Sequence, residues 1–394
     1  MKSTRKIGLY LDYAATTPID SSVSDEIIYC IKDPQMQGNP SSIHRMGMFA
    51  KNKIEESRQT IAKNIGVKSS EIIFTGSGTE SDNLTILGVA KSYKKFGNHI
   101  IISAIEHKAV IEATKSLESD GFEVSFAPVD NNGFVVVDKL IKLIRKDTIL
   151  ISIMYVNNEI GSIQPIKEIS LKINEIKKSN GLPFLHTDAC QAATVLSVNP
   201  KKLGVDLMTL NGSKIYGPKS IGCLYIRNGI KIEPIIYGGG QEFGIRAGTE
   251  SISLIAGFAK ALTISQNNYK KEFNRLLKIK KELIKTIKKI KDISFNSPSL
   301  KCSPNILNVS FLGAEGESLV LELDNQGVYC STGSACASRS LKSSHVLVAM
   351  GKDDEVTHTS IRFSIGRFTK EKDIKELKKV LSKCVERIRK NYSL

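Results

Sequence analysis

The sequence lacks the long apolar segments that mark membrane proteins and secreted proteins. No stretch approaches the roughly 18 uninterrupted apolar residues that suggest a membrane-spanning helix. The apolar stretch IGLYL near the N-terminus is too short for a signal peptide and is followed by Asp12. We therefore expect a cytoplasmic protein that has no membrane partner.

Paired cysteines and nucleotide-binding fingerprints are also missing. The seven cysteines form no CxxC pair, so the sequence predicts no metal site and no redox motif. A scattered, odd set of cysteines favours free thiols over disulfides. Neither GxGxxG nor a P-loop occurs, so no nucleotide is implied.

Acidic residues are in deficit, which gives a formal charge of +16 from 56 basic and 40 acidic residues. The excess concentrates in residues 269–291, where apolar residues recur at helical spacing and lysines occupy the other face. Aromatic residues are not interleaved there, as base-stacking surfaces would require. We interpret this segment as a solvated surface helix, and we do not expect nucleic acid to be a main partner.

Repeated strand and helix patterns are present along the first 260 residues or so. Apolar runs of strand length alternate with helical patterns, and polar residues follow the ends of the runs. This alternation is typical of a mostly parallel α/β sheet sandwiched by helices, with its chemistry at the strand ends. From about residue 263 the composition becomes basic and helical, which indicates a second domain.

Lys214 lies in the stretch LNGSKIYGPK, between two apolar runs that predict buried strands. A lysine on such a turn can serve as an amine nucleophile toward a carbonyl group. Asp188 ends another apolar run, FLHTD, and Gln191 follows it three residues later. Pyridoxal phosphate requires a lysine to bind its aldehyde and an acid to keep its ring nitrogen protonated. The pair therefore predicts a pyridoxal phosphate site, although Lys214 taken alone is better explained as one of many lysines in a lysine-rich chain.

A glycine-rich turn into a helix, TGSGTESDN, follows the strand predicted at 71–74. Backbone N–H groups at a helix start suit a phosphate. A plain helix capped by Thr79 and Ser81 would explain the same pattern.

Cys336 and Arg362 are the remaining candidate site residues, the first as a nucleophile and the second as an anion-binding group. Cys336 lies in STGSACASRSLKSS, a small-residue stretch without apolar periodicity, and the nearby Arg339 and Lys342 favour a thiolate. An incidental loop cysteine is the alternative. Cys330 is the less favoured nucleophile because it closes the strand-like GVYC. Arg362 lies between apolar residues in SIRFS and therefore needs an anion.

Ordered blocks along nearly the whole chain carry a family resemblance. They are LDYAATTP (11–18), GNPSSIH (38–44), TGSGTESDN (75–83), EHKAV (106–110), VNNEIG (156–161), HTDACQ (186–191), SKIYGPK (213–219), GGGQEFGIRAGT (238–249), PNILNVSF (304–311), STGSACAS (331–338) and SIRFSIGRF (360–368). The chain resembles the cysteine desulfurases of the NifS/IscS type, within the fold-type-I, class V aminotransferase group.

The resemblance implies a fold-type-I pyridoxal-phosphate-dependent transferase with a seven-stranded-type sheet and a smaller α+β C-terminal domain. The implied domains are residues 16–262, and residues 1–15 together with 263–394. The implied catalytic residues are Lys214, Cys336 and His107. The implied cofactor contacts are Gly78, Thr79, His107, Asn158, Asp188, Gln191, Asn211, Ser213, Lys214 and Thr249. Arg362 and Asn158 would bind the substrate.

The implied reaction converts L-cysteine to L-alanine and leaves the sulfur as a persulfide on Cys336, for an iron–sulfur scaffold or a tRNA-thiolation carrier. Residues 238–249 would cross to a second subunit, so a homodimer is implied. A selenocysteine lyase or a class V aminotransferase is the alternative, and a non-catalytic sulfur-relay or RNA-binding protein is a weaker one. The chain departs from the family at Asn211 and Ser213, where relatives carry a serine and a histidine that help to bind the cofactor phosphate.

Overall fold

The computed structural model describes residues 8–177, 179–333 and 343–392. Its strands are β1 (Leu9–Tyr10), β2 (Ile72–Thr75), β3 (His99–Ser103), β4 (Glu123–Ala127), β5 (Thr148–Ser152), β6 (Phe184–Asp188), β7 (Leu207–Asn211), β8 (Gly222–Ile226), β9 (Ile293–Phe295), β10 (Ile306–Phe311), β11 (Val328–Tyr329) and β12 (Ser360–Ser364). Its helices are α1 (Ser21–Lys32), α2 (Arg45–Ile65), α3 (Gly78–Tyr93), α4 (Lys108–Ser116), α5 (Val137–Lys142), α6 (Ile166–Ile176), α7 (Pro200–Leu203), α8 (Ile252–Ile287), α9 (Gly316–Asn325), α10 (His345–Ala349), α11 (Asp354–His358) and α12 (Glu371–Tyr392).

A seven-stranded sheet forms the centre of the molecule, in the order β2-β8-β7-β6-β5-β3-β4. The five strands from β7 to β4 pair in parallel, and β8 pairs antiparallel to both β2 and β7. All residues of β3, β5, β6 and β8 are buried. Strands covered on both faces read as continuous apolar runs, so these were recognisable in the sequence. The predicted mostly parallel sheet is confirmed.

A smaller three-stranded sheet, β12-β10-β9, lies in the C-terminal part of the chain. One apolar cluster joins β10 and β12 to the second half of α8 and to α12. The predicted apolar face of the last helix is confirmed, since Ile374, Leu377, Leu381, Val385 and Ile388 are all buried. β1 pairs in parallel with β11, which ties the start of the chain to this C-terminal part.

Some strands end earlier than the sequence predicts. The run NHIIISAIEH predicts a strand that ends at His107, but β3 ends at Ser103. The Glu106 side chain turns inward there and accepts hydrogen bonds from the Ser103 hydroxyl and the Met154 N–H, which ends the strand. The run TILISIMYV predicts a strand that ends at Val156, whereas β5 ends at Ser152.

The cap of α3 was also misassigned in the capped-helix alternative. Ser77 is the N-cap, because its hydroxyl accepts the Glu80 N–H at 3.1 Å. Thr79 and Ser81 lie inside the helix. The first turn of α3 therefore begins one residue before the predicted phosphate-binding threonine.

The expected change of domain near residue 263 falls inside α8, a single helix of 36 residues. The domain limits stay predictions. None of the described helices is long and apolar enough to cross a bilayer.

Candidate active site

A cavity of about 670 Å³ opens at the carboxyl ends of the parallel strands. Of the predicted site residues, it is lined by Gly78, Thr79, His107, Asn158, Asp188, Gln191, Asn211, Lys214 and Arg362. Parallel strands present their carboxyl ends on one edge of a sheet, so residues that are far apart in sequence meet there. The fold brings nine of the predicted residues to one place.

Ser213 and Thr249 do not line this cavity. The Ser213 hydroxyl donates to Asn211 Oδ1 at 3.2 Å, so it supports the side chain of a lining residue. Thr249 is exposed to solvent. Cys336 lies outside the described residues, as do Arg339 and Lys342.

Lys214 ends a short 3-10 turn, Gly212–Lys214, between β7 and β8. Its ammonium group donates hydrogen bonds to the carbonyl oxygens of Ala14 and Ala15, at 2.9 and 2.5 Å. Both acceptors belong to the segment LDYAATTP. Two uncharged backbone carbonyl groups therefore hold the lysine side chain at the cavity wall.

Asp188 is the last residue of β6 and is 7 % exposed. Its Oδ1 accepts the Cys190 N–H at 2.9 Å, which fixes the orientation of the carboxylate. Gln191, three residues later, donates from Nε2 to the Ala14 carbonyl at 2.9 Å. Gln191 and Lys214 therefore share one backbone acceptor, and both are fixed relative to Asp188.

The start of α3 forms a tight concave surface beside Asn211. A β-carbon at position 78 would lie 2.9 Å from Cys190 Sγ and 3.3 Å from Asn211 Cβ, so the site requires glycine. Just ahead of this turn, the Gly76 N–H donates to Glu80 Oε2, and Arg246 pairs with the same carboxylate. The positive end of a helix dipole and a close backbone approach suit an anionic group such as a phosphate.

His107 caps α4, since its Nδ1 accepts the Ala109 N–H at 3.1 Å. The neutral imidazole then carries its proton on Nε2. The bond to Nδ1 thus fixes the orientation of the ring, and Nε2 is the nitrogen that can exchange a proton.

Arg362 is 3 % exposed and makes two contacts that the sequence did not reveal. Nη2 pairs with Asp12 Oδ1 at 2.8 Å, and Nη1 donates to the Asn158 carbonyl at 3.0 Å. Nε has no hydrogen-bond partner among the described residues, although it is buried. An unsatisfied buried donor on a cation favours an anionic ligand.

Two buried acids escaped the sequence analysis because nothing in their local pattern distinguishes them from ordinary polar residues. Asp82 on α3 is 1 % exposed and Glu106 after β3 is fully buried. Burial, with a smaller contribution from Asp188, raises the pKa of Asp82 well above its ordinary value. Burial also raises the pKa of Glu106 to about 8. Both carboxyls therefore favour their protonated forms.

His186 lies on β6, two residues before Asp188, so the two side chains share one face of the strand. Its ring nitrogens contact the hydroxyls of Ser152 and Thr209 at 2.8 and 3.0 Å. Burial lowers the pKa of His186 to about 4. The ring is therefore neutral near pH 7 and does not cancel the charge of Asp188.

A second, more apolar groove of about 940 Å³ lies between α6 and the segment 298–301. It contains none of the predicted site residues. Of the two cavities, only the smaller one is lined by a lysine, an aspartate and an arginine together. It is therefore the candidate active site.

Comparison with known proteins matches the aminotransferase class-V family over residues 9–377. The cysteine desulfurase IscS of Dictyoglomus turgidum is 48% identical over 385 residues, which cover 98% of this chain and 96% of that protein. The cysteine desulfurase IscS of Methanosarcina thermophila is 44% identical over 390 residues, which cover 98% and 94%.

Solved structures agree with these relatives. A NifS-like protein superposes with a TM-score of 0.88 at 35% identity, covering 98% of this chain and 99% of that one. The NifS-like protein of Rickettsia africae superposes with a TM-score of 0.85 at 30% identity, covering 96% and 99%. The expected resemblance is confirmed: the chain belongs to the class-V aminotransferase family of pyridoxal-phosphate-dependent enzymes, among its IscS/NifS-type cysteine desulfurases.

Proposed function

We propose that this protein converts L-cysteine to L-alanine with pyridoxal phosphate and transfers the sulfur to Cys336. The observation that carries the proposal is the meeting of Lys214, Asp188 and Arg362 in one cavity. An amine nucleophile, an acid and a carboxylate-binding cation are the groups that an amino acid and a pyridine aldehyde require. The cysteine desulfurases among the relatives support the choice of substrate.

The residues present fit the cofactor. The close packing at Gly78 and the N-terminus of α3 would hold its phosphate, and the Asp188 carboxylate would pair with its ring nitrogen. Lys214 is the group that would bind its aldehyde. When bound, pyridoxal phosphate supplies an electron sink that stabilises negative charge on the substrate α-carbon.

Arg362 is the group that binds the α-carboxylate of cysteine. Its guanidinium is buried, and the pairing with Asp12 together with the bond to the Asn158 carbonyl orients it. The incoming carboxylate competes with Asp12 for Nη2 and also reaches the unsatisfied Nε. Two N–H donors of one guanidinium can then form a bidentate contact, which fixes the orientation of the substrate.

Lys214 then takes the proton from the α-carbon, for which the Lys214 amine must be uncharged. The Ala14 and Ala15 carbonyls accept N–H bonds from an amine as well as from an ammonium group, so they orient the nitrogen in both states. His107 Nε2 is the second proton carrier, since Nδ1 is occupied by the Ala109 N–H.

The Cys336 thiolate attacks the sulfur of the bound cysteine. A sulfur–sulfur bond forms, the carbon–sulfur bond of the substrate breaks, and the three-carbon product takes up protons and leaves as alanine. Cysteine and one enzyme thiol thus become alanine and one enzyme persulfide, and the balance needs no external oxidant. Cys330 does not suit this role, because it is buried and burial raises the pKa of its thiol.

A homodimer belongs to the same proposal. Exposed apolar side chains concentrate in residues 28–31 and 43–49, and Ile43 is 96% exposed. Exposed apolar patches of this kind mark protein interfaces. Thr249 is exposed and does not line the cavity of its own chain, so it is available to the cofactor phosphate of a second copy. We also propose a cytoplasmic location and transfer of the persulfide to an iron–sulfur scaffold or a tRNA-thiolation carrier.

The proposal is tested by incubating the cofactor-loaded protein with L-cysteine and a reducing thiol. We expect alanine and sulfide in equal amounts. L-Serine is the matched control, because it carries oxygen in place of sulfur and should yield neither product. Formation of pyruvate and ammonia from L-cysteine, or no conversion at all, would show that the assignment is wrong.

A further inference from the structure

Glu159 lies against both described borders of the segment that carries Cys336. Its Oε2 accepts a hydrogen bond from the Ser344 hydroxyl at 2.5 Å. A β-carbon at Gly333 would lie 2.8 Å from the same oxygen. One carboxylate oxygen therefore binds Ser344, two residues after the segment 334–342, and lies close to Gly333, the residue before it.

Glu159 is itself held rigidly in the turn that follows β5. It is 4 % exposed, and Asn157 Oδ1 accepts the backbone N–H groups of Glu159 and Ile160, both at 2.9 Å. The preceding residue, Asn158, lines the cavity and receives Arg362 through its carbonyl. Asn157 therefore holds the backbone of this turn, and the Asn158 carbonyl with it, independently of the Glu159 side chain.

Packing reinforces the contact on the Ser344 side. Val346, Leu347 and Met350, from α10 and the residue that follows it, form one apolar cluster with Ile105, Met154 and Ile160, from the turns after β3 and β5. His345 Nε2 donates to the Glu106 carbonyl at 2.9 Å. The start of α10 is thereby seated on the two turns that carry His107 and Asn158.

We propose that Glu159 is a positioning residue for the sulfur-transfer step, because its carboxylate binds Ser344 at one border of the Cys336 segment and lies close to Gly333 at the other. Glu159 also lines the cavity, but its hydrogen bonds among the described residues do not include Arg362, so we assign it to the transfer of sulfur and not to the binding of cysteine. This inference rests on the proposed function.

The test compares five cofactor-loaded variants of the full chain: Glu159→Ala, Glu159→Gln, Ser344→Ala, the double variant Glu159→Ala with Ser344→Ala, and Ser382→Ala. Ser382→Ala is the matched control, because the Ser382 hydroxyl also bonds a glutamate, Glu386, but on the exposed face of α12. Alanine formation from L-cysteine gives kcat and KM, and the change in visible absorbance on adding cysteine reports substrate binding at the cofactor. Glu159→Gln keeps an oxygen acceptor for Ser344 without the charge.

We expect Glu159→Ala to lower kcat about tenfold or more, as the loss of a buried hydrogen bond to a charged group implies. KM and the absorbance change should stay near the wild-type values, because the substrate contacts remain. Ser344→Ala should lower kcat in the same direction. It also removes the hydroxyl that accepts the Leu347 N–H at the start of α10, so the double variant should fall below Glu159→Ala by less than the full effect of Ser344→Ala. Glu159→Gln should recover most of the rate, and Ser382→Ala should match the wild type.

Wild-type kcat in Glu159→Ala would overturn the inference, and so would a parallel loss of the cofactor absorbance, which would indicate a purely structural role. Full additivity of the two substitutions would show that Ser344 and Glu159 act separately. If Glu159→Ala does not fold, Ser344→Ala takes its place in the test. A lower kcat with an unchanged KM would support the inference, and an unchanged kcat would contradict it. Failure of the wild-type protein itself to form alanine would instead refute the proposed function.

Discussion

Lys214 is the residue on which the proposed chemistry depends most. We expect Lys214→Ala to abolish turnover and the visible absorbance of the bound cofactor, because covalent attachment requires this amine. The circular dichroism spectrum should be unchanged, since Lys214 lies at a cavity wall and is not part of the buried core. Lys219→Ala, an exposed lysine five residues later, serves as the matched control. Full activity in Lys214→Ala would exclude the assigned role.

Glu106 gives a prediction about pH and stability. Burial raises its folded-state pKa from 4.5 to about 8, so the protonated form is favoured in the native protein. The stability that this preference contributes is complete below about pH 4.5 and is lost as the pH rises through 8. We expect Glu106→Gln to raise the melting temperature relative to the wild type, by more at pH 8 than at pH 5. The amide oxygen can still accept the bonds from Ser103 and Met154.

Thermal unfolding at a series of pH values checks this expectation. A glutamine variant that is less stable than the wild type at pH 8 would show that the carboxylate is charged and stabilised by a partner. Asp82→Asn offers a parallel case, because burial also raises the pKa of Asp82 and one of its oxygens has no hydrogen-bond partner among the described residues.

At the scale of the elements, β8 is packed directly on the turn before α3. A β-carbon at Gly222 would lie 2.7 Å from the Ser77 carbonyl carbon and 2.9 Å from the Leu210 oxygen, and backbone atoms cannot easily move aside. We expect Gly222→Ala to destabilise the fold by about 1–3 kcal/mol, as overpacking does. It should also weaken pyridoxal phosphate binding, because Ser77 precedes the phosphate-binding turn.

Thermal unfolding and titration of the apoprotein with pyridoxal phosphate measure the two effects. Gly240→Ala is the control, since no atom lies within 4 Å of a β-carbon there. An unchanged melting temperature and an unchanged affinity for the cofactor in Gly222→Ala would contradict the close packing of β8 on this turn.

The sequence predicted the elements whose signals are local. β8 and the turn at Lys214 were placed correctly, because buried strands are continuous apolar runs and a glycine and a proline mark the turn. The end of β3 was missed because a side chain, Glu106, ends the strand by accepting hydrogen bonds from β3 and from the turn after β5. No local pattern encodes such a contact.

The site was predicted through motifs, and its supporting residues were not. Asp12, Asp82 and Glu159 come from three distant parts of the chain, and only the fold brings them beside Arg362, Asp188 and Ser344. Their importance lies in burial and pairing, which spacing along a sequence cannot show. Motif recognition therefore identified the groups for the chemistry and left their orientation to the structure.

At the scale of the whole molecule, the exposed apolar surface predicts self-association. Residues 28–31 and 43–49 lie on α1, at the start of α2 and in the loop before it, and Pro34–Gln37 joins them as a 3-10 turn that packs on both helices. We expect Ile43→Asp to weaken the dimer, because a charge would be desolvated at the interface. Light scattering after gel filtration measures the mass.

Leu300→Asp is the matched control for this prediction. Leu300 is 77% exposed but lies on the groove beside α6, away from the α1 and α2 surface in sequence. It should leave the mass unchanged. A wild-type protein that remains a monomer at all concentrations would contradict the proposed dimer and, with it, the role of Thr249.

The central claim is that sulfur from cysteine passes to Cys336. The most direct measurement is mass spectrometry of the cofactor-loaded protein after a single turnover with L-cysteine, without reducing thiol, in the wild type and in Cys336→Ser and Cys330→Ser. We predict one added sulfur atom on the peptide containing Cys336 in the wild type and in Cys330→Ser, together with one alanine per active site. Cys336→Ser should carry no added sulfur. Added sulfur on Cys330, or alanine formed without sulfur on any cysteine, would contradict the account.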